Sequence, residues 1–317
     1  MNILVTGGAG FIGSHLNEYL LQQGHRIDCL DNFNDYYDPE IKRRNISFAL
    51  QNPSFKLFEG DILDIQLLSE IFHQKGYDVI VHLAARAGVR PSIQQPLLYQ
   101  EVNVRGTMNL LEMAKTYGVK KFIFASSSSV YGNNKKLPFS EKDFVDCPVS
   151  PYAATKRAGE IIAYTYHHLY NISVWCLRFF TVYGPRQRPD MAIHKFTDLI
   201  SRGKPVPLYG DGNARRDFTY ITDIIQGVVA AIERCNGYNI YNLGESRFVK
   251  VMDVITLIED YLGKKAKIEK LPPQMGDVPI TYADIEKARR ELGYNPIVSI
   301  EEGLKKFITW YKEVYPI

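Results

Sequence analysis

The feature that most constrains this chain is a glycine-rich turn close to its amino terminus. A short apolar run, Asn2–Thr6, leads into this turn, and a helical pattern of apolar residues covers Phe11–Gln23. The turn satisfies G-x-G-x-x-G and also the shifted G-x-x-G-x-x-G, through Gly7, Gly8, Gly10 and Gly13. Glycine is needed where a Cβ would block a tight turn or hold the backbone away from a phosphate. The helix that follows directs free N–H groups and the positive end of its dipole towards an anion. This strand–turn–helix unit predicts a dinucleotide site.

The first half of the chain alternates apolar, strand-like runs with helical patterns. The predicted strands are Asn2–Thr6, Arg26–Leu30, Phe55–Glu59, Asp78–Leu83, Lys121–Ala125 and Ser173–Leu177. The predicted helices are Phe11–Gln23, Asp64–Gln74, Tyr99–Tyr117 and Tyr152–Tyr170. This alternation predicts an α/β fold in which helices cover both faces of a doubly wound parallel (Rossmann) sheet.

The pattern changes after Arg178, where glycine and proline become frequent. Two later helices are predicted, Asp284–Leu292 and Ile300–Tyr315, among segments that read as loops. We therefore predict a dinucleotide-binding Rossmann domain over residues 1–178. Residues 179–317 are predicted to form mainly a smaller, loop-rich substrate-binding lobe, with some segments returning to the first domain.

Composition excludes several other classes of protein. The 317 residues carry 38 Lys plus Arg and 35 Asp plus Glu, a net charge of +3, with no block of one sign. That distribution argues against nucleic-acid binding. No apolar run approaches the ~18–20 residues of a membrane span, and no secretory signal is evident. Four widely spaced cysteines match neither a zinc site nor a disulfide scaffold. We expect a cytoplasmic protein without a metal.

Asp31 ends the second predicted strand, 18 residues past Gly13. A carboxylate there accepts hydrogen bonds from a ribose diol and repels a 2′-phosphate, which favours NAD over NADP. Asp61-Ile62 after the third strand is a candidate for the adenine, and Leu83-Ala84-Ala85 after the fourth for the cofactor's flank. On residue type alone, both segments are equally consistent with ordinary loops.

A second chemical pattern is Y-x-x-x-K, formed by Tyr152 and Lys156. The spacing of four places phenol and ammonium on one helical face, where the cation is expected to lower the tyrosine pKa from ~10 and create a general base. Such pairs are often solvated surface. Here, however, four serines, Ser126–Ser129, follow the fifth strand. That is where a doubly wound fold places its ligand, although such a segment can also satisfy its own backbone.

Together the glycine turn, the serine segment, the Tyr152/Lys156 pair and Arg216-Asp217-Phe218 resemble the extended short-chain dehydrogenase/reductases, specifically the nucleotide-sugar epimerases and dehydratases. The resemblance covers essentially the whole chain. It implies an NAD+ held through the catalytic cycle, a UDP- or dTDP-sugar substrate, a Ser127–Tyr152–Lys156 triad, and often a homodimer built from the two long helices, about Tyr99–Tyr117 and Tyr152–Tyr170. The cofactor contacts that it implies are Gly7, Gly10, Phe11, Ile12, Gly13, Asp31, Asn32, Asp61, Ile62, Leu83, Ala84, Ala85, Asn103, Tyr152 and Lys156.

The resemblance also bears on the reaction. Dehydratases of this family carry Asp-Glu after the triad hydroxyl, and UDP-glucuronate decarboxylases carry Glu before Val-Tyr-Gly. Ser128 and Ser129 occupy these positions here. Because neither can serve as a carboxylate acid or base, elimination lacks its catalyst. Oxidation and re-reduction at C4, which is epimerisation, remains.

Among these enzymes the UDP-glucuronate 4-epimerases are the most similar. The matching segments are 31–38, 42–44, 87–90, 179–185, 188–192 and 276–279. Arg186-Gln187 stand where we expect Trp-Gly, and Met275 where we expect Pro. Ser128, Ser129 and Thr181 are the implied neutral donors for a C5 carboxylate. Arg90 and Arg188 are candidates for the carboxylate or diphosphate, and Arg216 for a diphosphate oxygen. Gln274 falls where galactose epimerases carry arginine.

Three alternatives remain open. One is a 4-epimerase of UDP-galactose or UDP-N-acetylhexosamines, and another is UDP-glucuronate decarboxylation to a pentose, which Ser129 disfavours. The third is a non-catalytic NAD-binding regulator, against which the intact Ser127/Tyr152/Lys156 set argues.

Overall fold

A seven-stranded parallel sheet forms the centre of the molecule. The computed structural model describes residues 1–272, 274, 276 and 278–315. The strands are β1 (Asn2–Thr6), β2 (Arg26–Asp31), β3 (Phe55–Glu59), β4 (Val79–His82), β5 (Lys121–Ser127), β6 (Ser173–Phe179), β7 (Thr181–Tyr183), β8 (Pro205–Tyr209), β9 (Arg215–Arg216), β10 (Phe218–Tyr220), β11 (Tyr238–Leu243), β12 (Val249–Lys250) and β13 (Lys267–Leu271). The central sheet has the order β11-β6-β5-β4-β1-β2-β3. The predicted doubly wound α/β fold is confirmed.

Helices cover both faces of this sheet. They are α1 (Phe11–Gln22), α2 (Pro39–Asn45), α3 (Ile65–Gln74), α4 (Val89–Gln94), α5 (Pro96–Gln100), α6 (Gly106–Thr116), α7 (Pro151–Tyr170), α8 (Ala192–Ser201), α9 (Ile221–Arg234), α10 (Val251–Leu262), α11 (Glu286–Leu292) and α12 (Ile300–Val314). The predicted helix Tyr99–Tyr117 is the run from α5 to α6, joined by a π-helical turn at Glu101–Arg105. None of the helices in the described part of the chain has the length and hydropathy of a membrane span.

Local sequence explains where the main elements begin. All four residues of β4 are buried, as expected for a strand covered on both faces. Ser150 caps α7 by accepting a hydrogen bond from the Ala153 N–H, and Pro151 occupies the first turn, where it needs no N–H partner. This cap fixes where α7 starts and so places Tyr152 in its first turn.

The prediction of a loop-rich second half is wrong in one respect. Residues 192–262 include the helices α8, α9 and α10, whose apolar faces join the main core. Glycine and proline in this region mark tight turns between elements: Gly203, Gly210 and Gly212 all have positive φ. Short strand pairs, β7–β10, β8–β13 and β9–β12, complete this half.

One strand of the second half lies in the central sheet. β11 pairs with β6 along its whole length, from Tyr238 opposite Val174 to Leu243 opposite Phe179. It is the expected kind of returning segment, although its position was not predicted. The division at residue 178 stays a prediction.

Candidate active site

A cavity of about 470 Å³ opens at the carboxyl ends of the central strands. The strand order reverses between β1 and β4, and doubly wound folds bind their ligands at such a point. Predicted site residues from segments distant in sequence meet in its wall: Gly7, Gly10, Phe11, Ile12, Gly13, Asp31, Asn32, Asp61, Ile62, Leu83, Ala84, Ala85, Ser127, Ser128, Ser129, Tyr152, Lys156, Thr181 and Arg188.

The glycine turn is closely fitted to its surroundings. Gly7 has φ +69°, and a Cβ on it would lie 2.6 Å from the Ala84 nitrogen. A Cβ on Gly13 would lie 2.5 Å from the Gly7 carbonyl oxygen. Backbone surrounds both positions, so only glycine fits. The turn thus brings bare backbone and the first turn of α1 to the cavity wall, an arrangement that fits the diphosphate of a dinucleotide.

Asp31 lies at the end of β2 with its side chain only 6% exposed. Its carboxylate accepts hydrogen bonds from the Ala9 N–H (3.1 Å) and the Phe33 N–H (3.0 Å), and the ammonium of Lys42 lies 3.7 Å away. Burial raises the pKa of Asp31, against the opposing effect of Lys42. A carboxylate offers about four lone-pair positions, so acceptor capacity remains for a ribose diol. Lys42 was not predicted as a site residue, since its burial depends on how the loop after β2 folds.

Asn32 and Asp61 are joined by a hydrogen bond on the side of the cavity where the sequence predicts the adenine. The Asn32 amide donates to the Asp61 carboxylate at 2.7 Å, and the other Asp61 oxygen accepts from the Leu63 N–H at 2.9 Å. The Asn32–Asp61 hydrogen bond thereby holds the loops after β2 and β3 together. Both residues line the cavity, and their contact with the adenine stays a prediction.

Asn103 lies behind the wall and is 2% exposed. It is outside the set of described residues that line the cavity. Its amide donates to the Arg86 carbonyl and accepts from the Arg86 N–H, at 2.9 and 2.8 Å, and also donates to the Thr155 hydroxyl at 3.0 Å. In this position Asn103 braces the loop after β4 against α7 instead of facing the predicted cofactor.

Tyr152, Lys156 and Ser127 meet between β5 and the first turns of α7. The Lys156 ammonium donates to the Ala125 carbonyl at 2.7 Å and lies 6.0 Å from the centre of the Tyr152 ring. The Ser127 hydroxyl donates to the Ser129 hydroxyl and accepts from the Ser129 N–H, both at 3.1 Å. This geometry brings a phenol, a hydroxyl and a cation to one part of the cavity.

The electrostatics differ from the prediction for the catalytic pair. Burial raises the pKa of Tyr152, and the groups that oppose this rise are Ser127, by hydrogen bonding, and Arg188, by its charge. Burial lowers the pKa of Lys156 to about 8, against an opposing effect of Glu160. The expected lowering of the Tyr152 pKa by Lys156 is therefore wrong for this structure, because the partial burial of the phenol has the largest effect.

A buried ion pair lies directly behind Lys156. The Glu160 carboxylate accepts two hydrogen bonds from the Arg178 guanidinium, at 2.8 and 2.9 Å, one from the Ser126 hydroxyl at 2.6 Å and one from Arg157 at 3.1 Å. Burial works against its ionisation, but Arg178 holds the pKa of Glu160 below its usual range. Sequence analysis missed this cluster, although Glu160 stands one helical turn after Lys156.

The part of the cavity wall beside Tyr152 carries hydroxyl groups. Apart from Asp31 and Asp61, the described residues that line the cavity include no carboxylate. Ser128 and Ser129 begin a short 3₁₀ turn, and Thr181 begins β7 with its N–H donating to the Asp217 carbonyl at 3.0 Å. Arg188 also lines the wall, and its guanidinium is paired with Asp190. The chemistry available here is hydrogen-bond donation to an oxygen-rich ligand.

The other predicted substrate residues, Arg90, Arg216 and Gln274, lie outside the described cavity lining. The Arg90 guanidinium stacks 4.4 Å from the centre of the Tyr209 ring. Arg216 donates to the Arg215 carbonyl at 2.9 Å. The Gln274 side-chain oxygen is buried and accepts no hydrogen bond from the described residues. Two further positions lie outside the described residues: Met275, which departs from the family pattern, and Asp277, which belongs to the matching segment 276–279.

The cysteines and possible metal ligands add no further chemistry. All four cysteines are free, and only Cys147 is exposed. Within residues 1–272, 274, 276 and 278–315, no group of three or more His, Cys, Asp or Glu side chains is placed to hold a metal ion.

Comparison with known proteins identifies the family. A sequence model described as GDP-mannose 4,6 dehydratase matches residues 4–307. The chain is 46% identical to the UDP-glucuronate 4-epimerase of Thermodesulfobacterium geofontis, over 98% of this chain and 96% of the relative. It aligns with TM-score 0.94 and 39% identity to the UDP-glucuronic acid 4-epimerase of Bacillus cereus in complex with UDP-glucuronic acid and NAD, over 99% and 100% of the two chains. The UDP-glucose 4-epimerase of Thermotoga maritima with UDP-glucose gives a TM-score of 0.92 at 34% identity, over 99% of each chain. The resemblance noted in the sequence is confirmed: the chain belongs to the extended short-chain dehydrogenase/reductases and, within them, to the family that the GDP-mannose 4,6 dehydratase model describes.

Proposed function

We propose that the protein is a UDP-glucuronate 4-epimerase that interconverts UDP-glucuronate and UDP-galacturonate with tightly bound NAD+. The observation that carries this proposal is the wall formed by Ser128, Ser129 and Thr181 beside Tyr152. It offers hydroxyl donors to a sugar carboxylate and lacks the carboxylates that elimination needs. The identity to UDP-glucuronate 4-epimerases supports the same assignment.

The cofactor site fits NAD+ through three features of this chain. The glycine turn and the first turn of α1 would hold the diphosphate, Asp31 would accept from the ribose diol, and Asn32 with Asp61 would border the adenine. When bound, NAD+ supplies the reversible hydride acceptor for C4 of the sugar. A dinucleotide enclosed by the walls of the cavity is expected to be retained between turnovers.

The proton is handled by Tyr152 and Ser127. Both side chains hydrogen bond the sugar 4-hydroxyl, and Tyr152 takes its proton while C4 is oxidised. Burial keeps the resting phenol protonated, and Lys156, fixed by the Ala125 carbonyl, supplies a positive charge near the phenolate that forms during proton transfer. The 4-keto sugar then turns about its diphosphate linkage. Tyr152 returns the proton when C4 is reduced on its opposite face, so no net redox change occurs.

The uronate imposes an additional requirement. Oxidation at C4 places a ketone β to the C5 carboxylate, and such acids lose CO₂ readily. Hydrogen bonds from Ser128, Ser129 and Thr181, each worth about 1.5–3 kcal/mol to a charged acceptor, hold the carboxylate out of alignment with the carbonyl π system. For the diphosphate we propose Arg216, together with Arg90 and Gln274.

The decisive assay uses the purified protein with UDP-glucuronate and no added cofactor. NMR of the anomeric region should show UDP-galacturonate, no UDP-pentose and no accumulating NADH, and denatured protein should release NAD+. A UDP-pentose product would reassign the protein as a decarboxylase. Turnover of UDP-galactose or UDP-N-acetylglucosamine, but not of the uronate, would refute the uronate proposal and keep the triad. No turnover of any of these sugars would favour an NAD-binding regulator.

We also propose a cytoplasmic homodimer built from the two long helices, the run from α5 to α6 and α7. These helices expose apolar side chains, which are typical of an interaction surface: Leu97, Met108, Ile161, Tyr164 and Leu169. We expect Ile161→Lys to halve the mass measured by analytical ultracentrifugation. Ile297→Lys, at an even more exposed isoleucine between α11 and α12, should leave the mass unchanged. A monomeric wild-type protein would contradict the proposal.

A further inference from the structure

The guanidinium of Arg188 is engaged by a carboxylate two residues away. Its Nε and Nη2 donate to the two oxygens of Asp190, both at 2.9 Å. Tyr36, from the loop after β2, donates to the same carboxylate at 3.2 Å, and its ring lies 5.4 Å from the Arg188 guanidinium carbon. This Arg188–Asp190–Tyr36 cluster joins the loop after β2 to the segment before α8.

The two charged residues occupy different places. Arg188, Tyr36 and Met191 line the cavity, whereas Asp190 is outside the described lining. The Arg188 and Asp190 side chains are 21% and 38% exposed. The ion pair therefore presents its cation to the cavity and keeps its carboxylate behind it. This bidentate pair occupies the Nε/Nη2 edge, one of the two guanidinium edges that match a carboxylate ligand.

Arg188 and the catalytic Tyr152 line the same cavity. The charge of Arg188 is among the influences that lower the pKa of Tyr152 against burial, and it acts in the same direction on Tyr36 and Tyr99. A ligand carboxylate near Ser128, Ser129 and Thr181 would lie in the same cavity as this guanidinium. If Asp190 released it, the guanidinium would compete with the hydroxyls for that carboxylate.

The proposed reaction makes such competition harmful. The 4-keto sugar must turn within the site before C4 is reduced. A bidentate salt bridge would fix the carboxylate in one orientation and would have to break at each turnover, whereas single hydrogen bonds from hydroxyls are weaker and exchange individually. Binding energy gained equally before and during the reaction lowers KM without raising kcat.

We propose that Asp190 is a specificity-determining positioning residue, which occupies the Arg188 guanidinium so that a uronate carboxylate is held by hydroxyls and stays free to turn. This inference rests on the proposed function. Asp190 touches neither the sugar nor the cofactor in this scheme, and it acts through Arg188. Its removal should tighten uronate binding and slow turnover.

Asp190→Asn tests this directly, because it removes the charge and keeps the size. We expect the KM for UDP-glucuronate to fall at least about fivefold, as for a partly exposed ion pair, with a comparable loss in kcat. The Kd of UDP-glucose, measured by calorimetry, should not change, since this ligand has no carboxylate. Asp190→Ala should behave in the same way. The double variant Arg188→Gln/Asp190→Asn should lose the selective tightening, because no guanidinium is left to be released.

Glu286→Gln is the matched control: it breaks an exposed pair with Arg289 on α11, and both ligands should bind as before. Equal changes for both ligands, no change for either, or failure of both single variants to fold would overturn the inference and leave Asp190 a structural residue. The wild-type assay separates this result from the proposed function. If wild-type protein does not epimerise UDP-glucuronate, the function fails and the inference with it. If it does, only the Asp190 variants decide.

Discussion

Tyr152→Phe should reduce kcat for UDP-glucuronate epimerisation by about 10³-fold, within the range for a lost general acid–base group. The variant removes one oxygen and keeps the ring, which packs edge-on against Tyr99 with centroids 6.3 Å apart. The variant should still bind NAD+ and UDP-glucuronate, because the glycine turn, Asp31 and the wall formed by Ser128, Ser129 and Thr181 are unchanged. Reaction time courses followed by NMR give kcat, and calorimetry gives the Kd of UDP-glucuronate.

The control for this prediction is Tyr19→Phe. Tyr19 is a 41% exposed tyrosine of α1, outside the described cavity lining. It should keep full activity. If Tyr152→Phe retained more than a tenth of the wild-type kcat, the general base would have to be another group, and the proposed proton path would be wrong.

Arg178→Met should lower the free energy of unfolding at neutral pH by about 3–5 kcal/mol, because the buried Glu160 carboxylate loses its main cation and keeps only the more exposed Arg157. Arg178 and Glu160 are 1% and 0% exposed, and both carboxylate oxygens of Glu160 accept from this guanidinium. Arg178 also donates to the Tyr131 hydroxyl at 3.0 Å, so that a second buried group loses a partner. Urea unfolding followed by circular dichroism measures the change.

The stability that Arg178→Met loses relative to wild type should be smaller at pH 5 than at pH 7. In the wild type the Glu160 pKa is lowered in the folded state, so its contribution to stability is present above the unfolded value of about 4.3 and is lost as pH falls. Without Arg178, burial raises the Glu160 pKa, and keeping Glu160 ionised becomes unfavourable. The variant should therefore be closer to wild type at pH 5 than at pH 7.

A double variant checks the cause. Glu160→Gln/Arg178→Met removes both charges and should recover part of the lost stability, as buried pairs often do when both partners are replaced. The loss in free energy of unfolding could instead be equal at both pH values and unchanged in the double variant. That result would mean that packing around Arg178, and not its charge, accounts for the loss.

The elements that could be predicted are those whose signal is local. β4 is an uninterrupted apolar run, and the start of α7 is marked by Ser150 and Pro151. β11 was missed because its sequence interleaves Asn239 and Asn242 with apolar residues. Asn242 is completely buried only because distant groups satisfy it: the Tyr131 hydroxyl donates to its amide oxygen, and its NH₂ donates to the carbonyls of Phe139 and Asp284. Because these partners lie far from Asn242 in sequence, no short segment of the chain reveals that Asn242 is buried.

The same distinction applies to the candidate site. Ser127, Tyr152 and Asp31 were predictable because each ends a strand or opens a helix at the ligand-binding edge of the sheet. Lys42 and Asp190 were not predicted, since their roles arise from contacts between loops: Lys42 reaches back to Asp31, and Asp190 meets Tyr36 across 154 positions of sequence. The lowered Tyr152 pKa was predicted wrongly because spacing reveals a neighbouring cation but not the depth of burial.

The place of β11 has a consequence for biosynthesis. Until Tyr238–Leu243 has left the ribosome, β6 is an edge strand whose hydrogen-bonding groups are unpaired and whose Val174–Phe179 stretch, buried in the finished protein, has no neighbour on that side. An apolar open edge of this kind is a template for pairing with other chains. The growing chain thus passes through a period of aggregation risk that ends only when a segment from its second half arrives, and chaperone demand should concentrate in that interval.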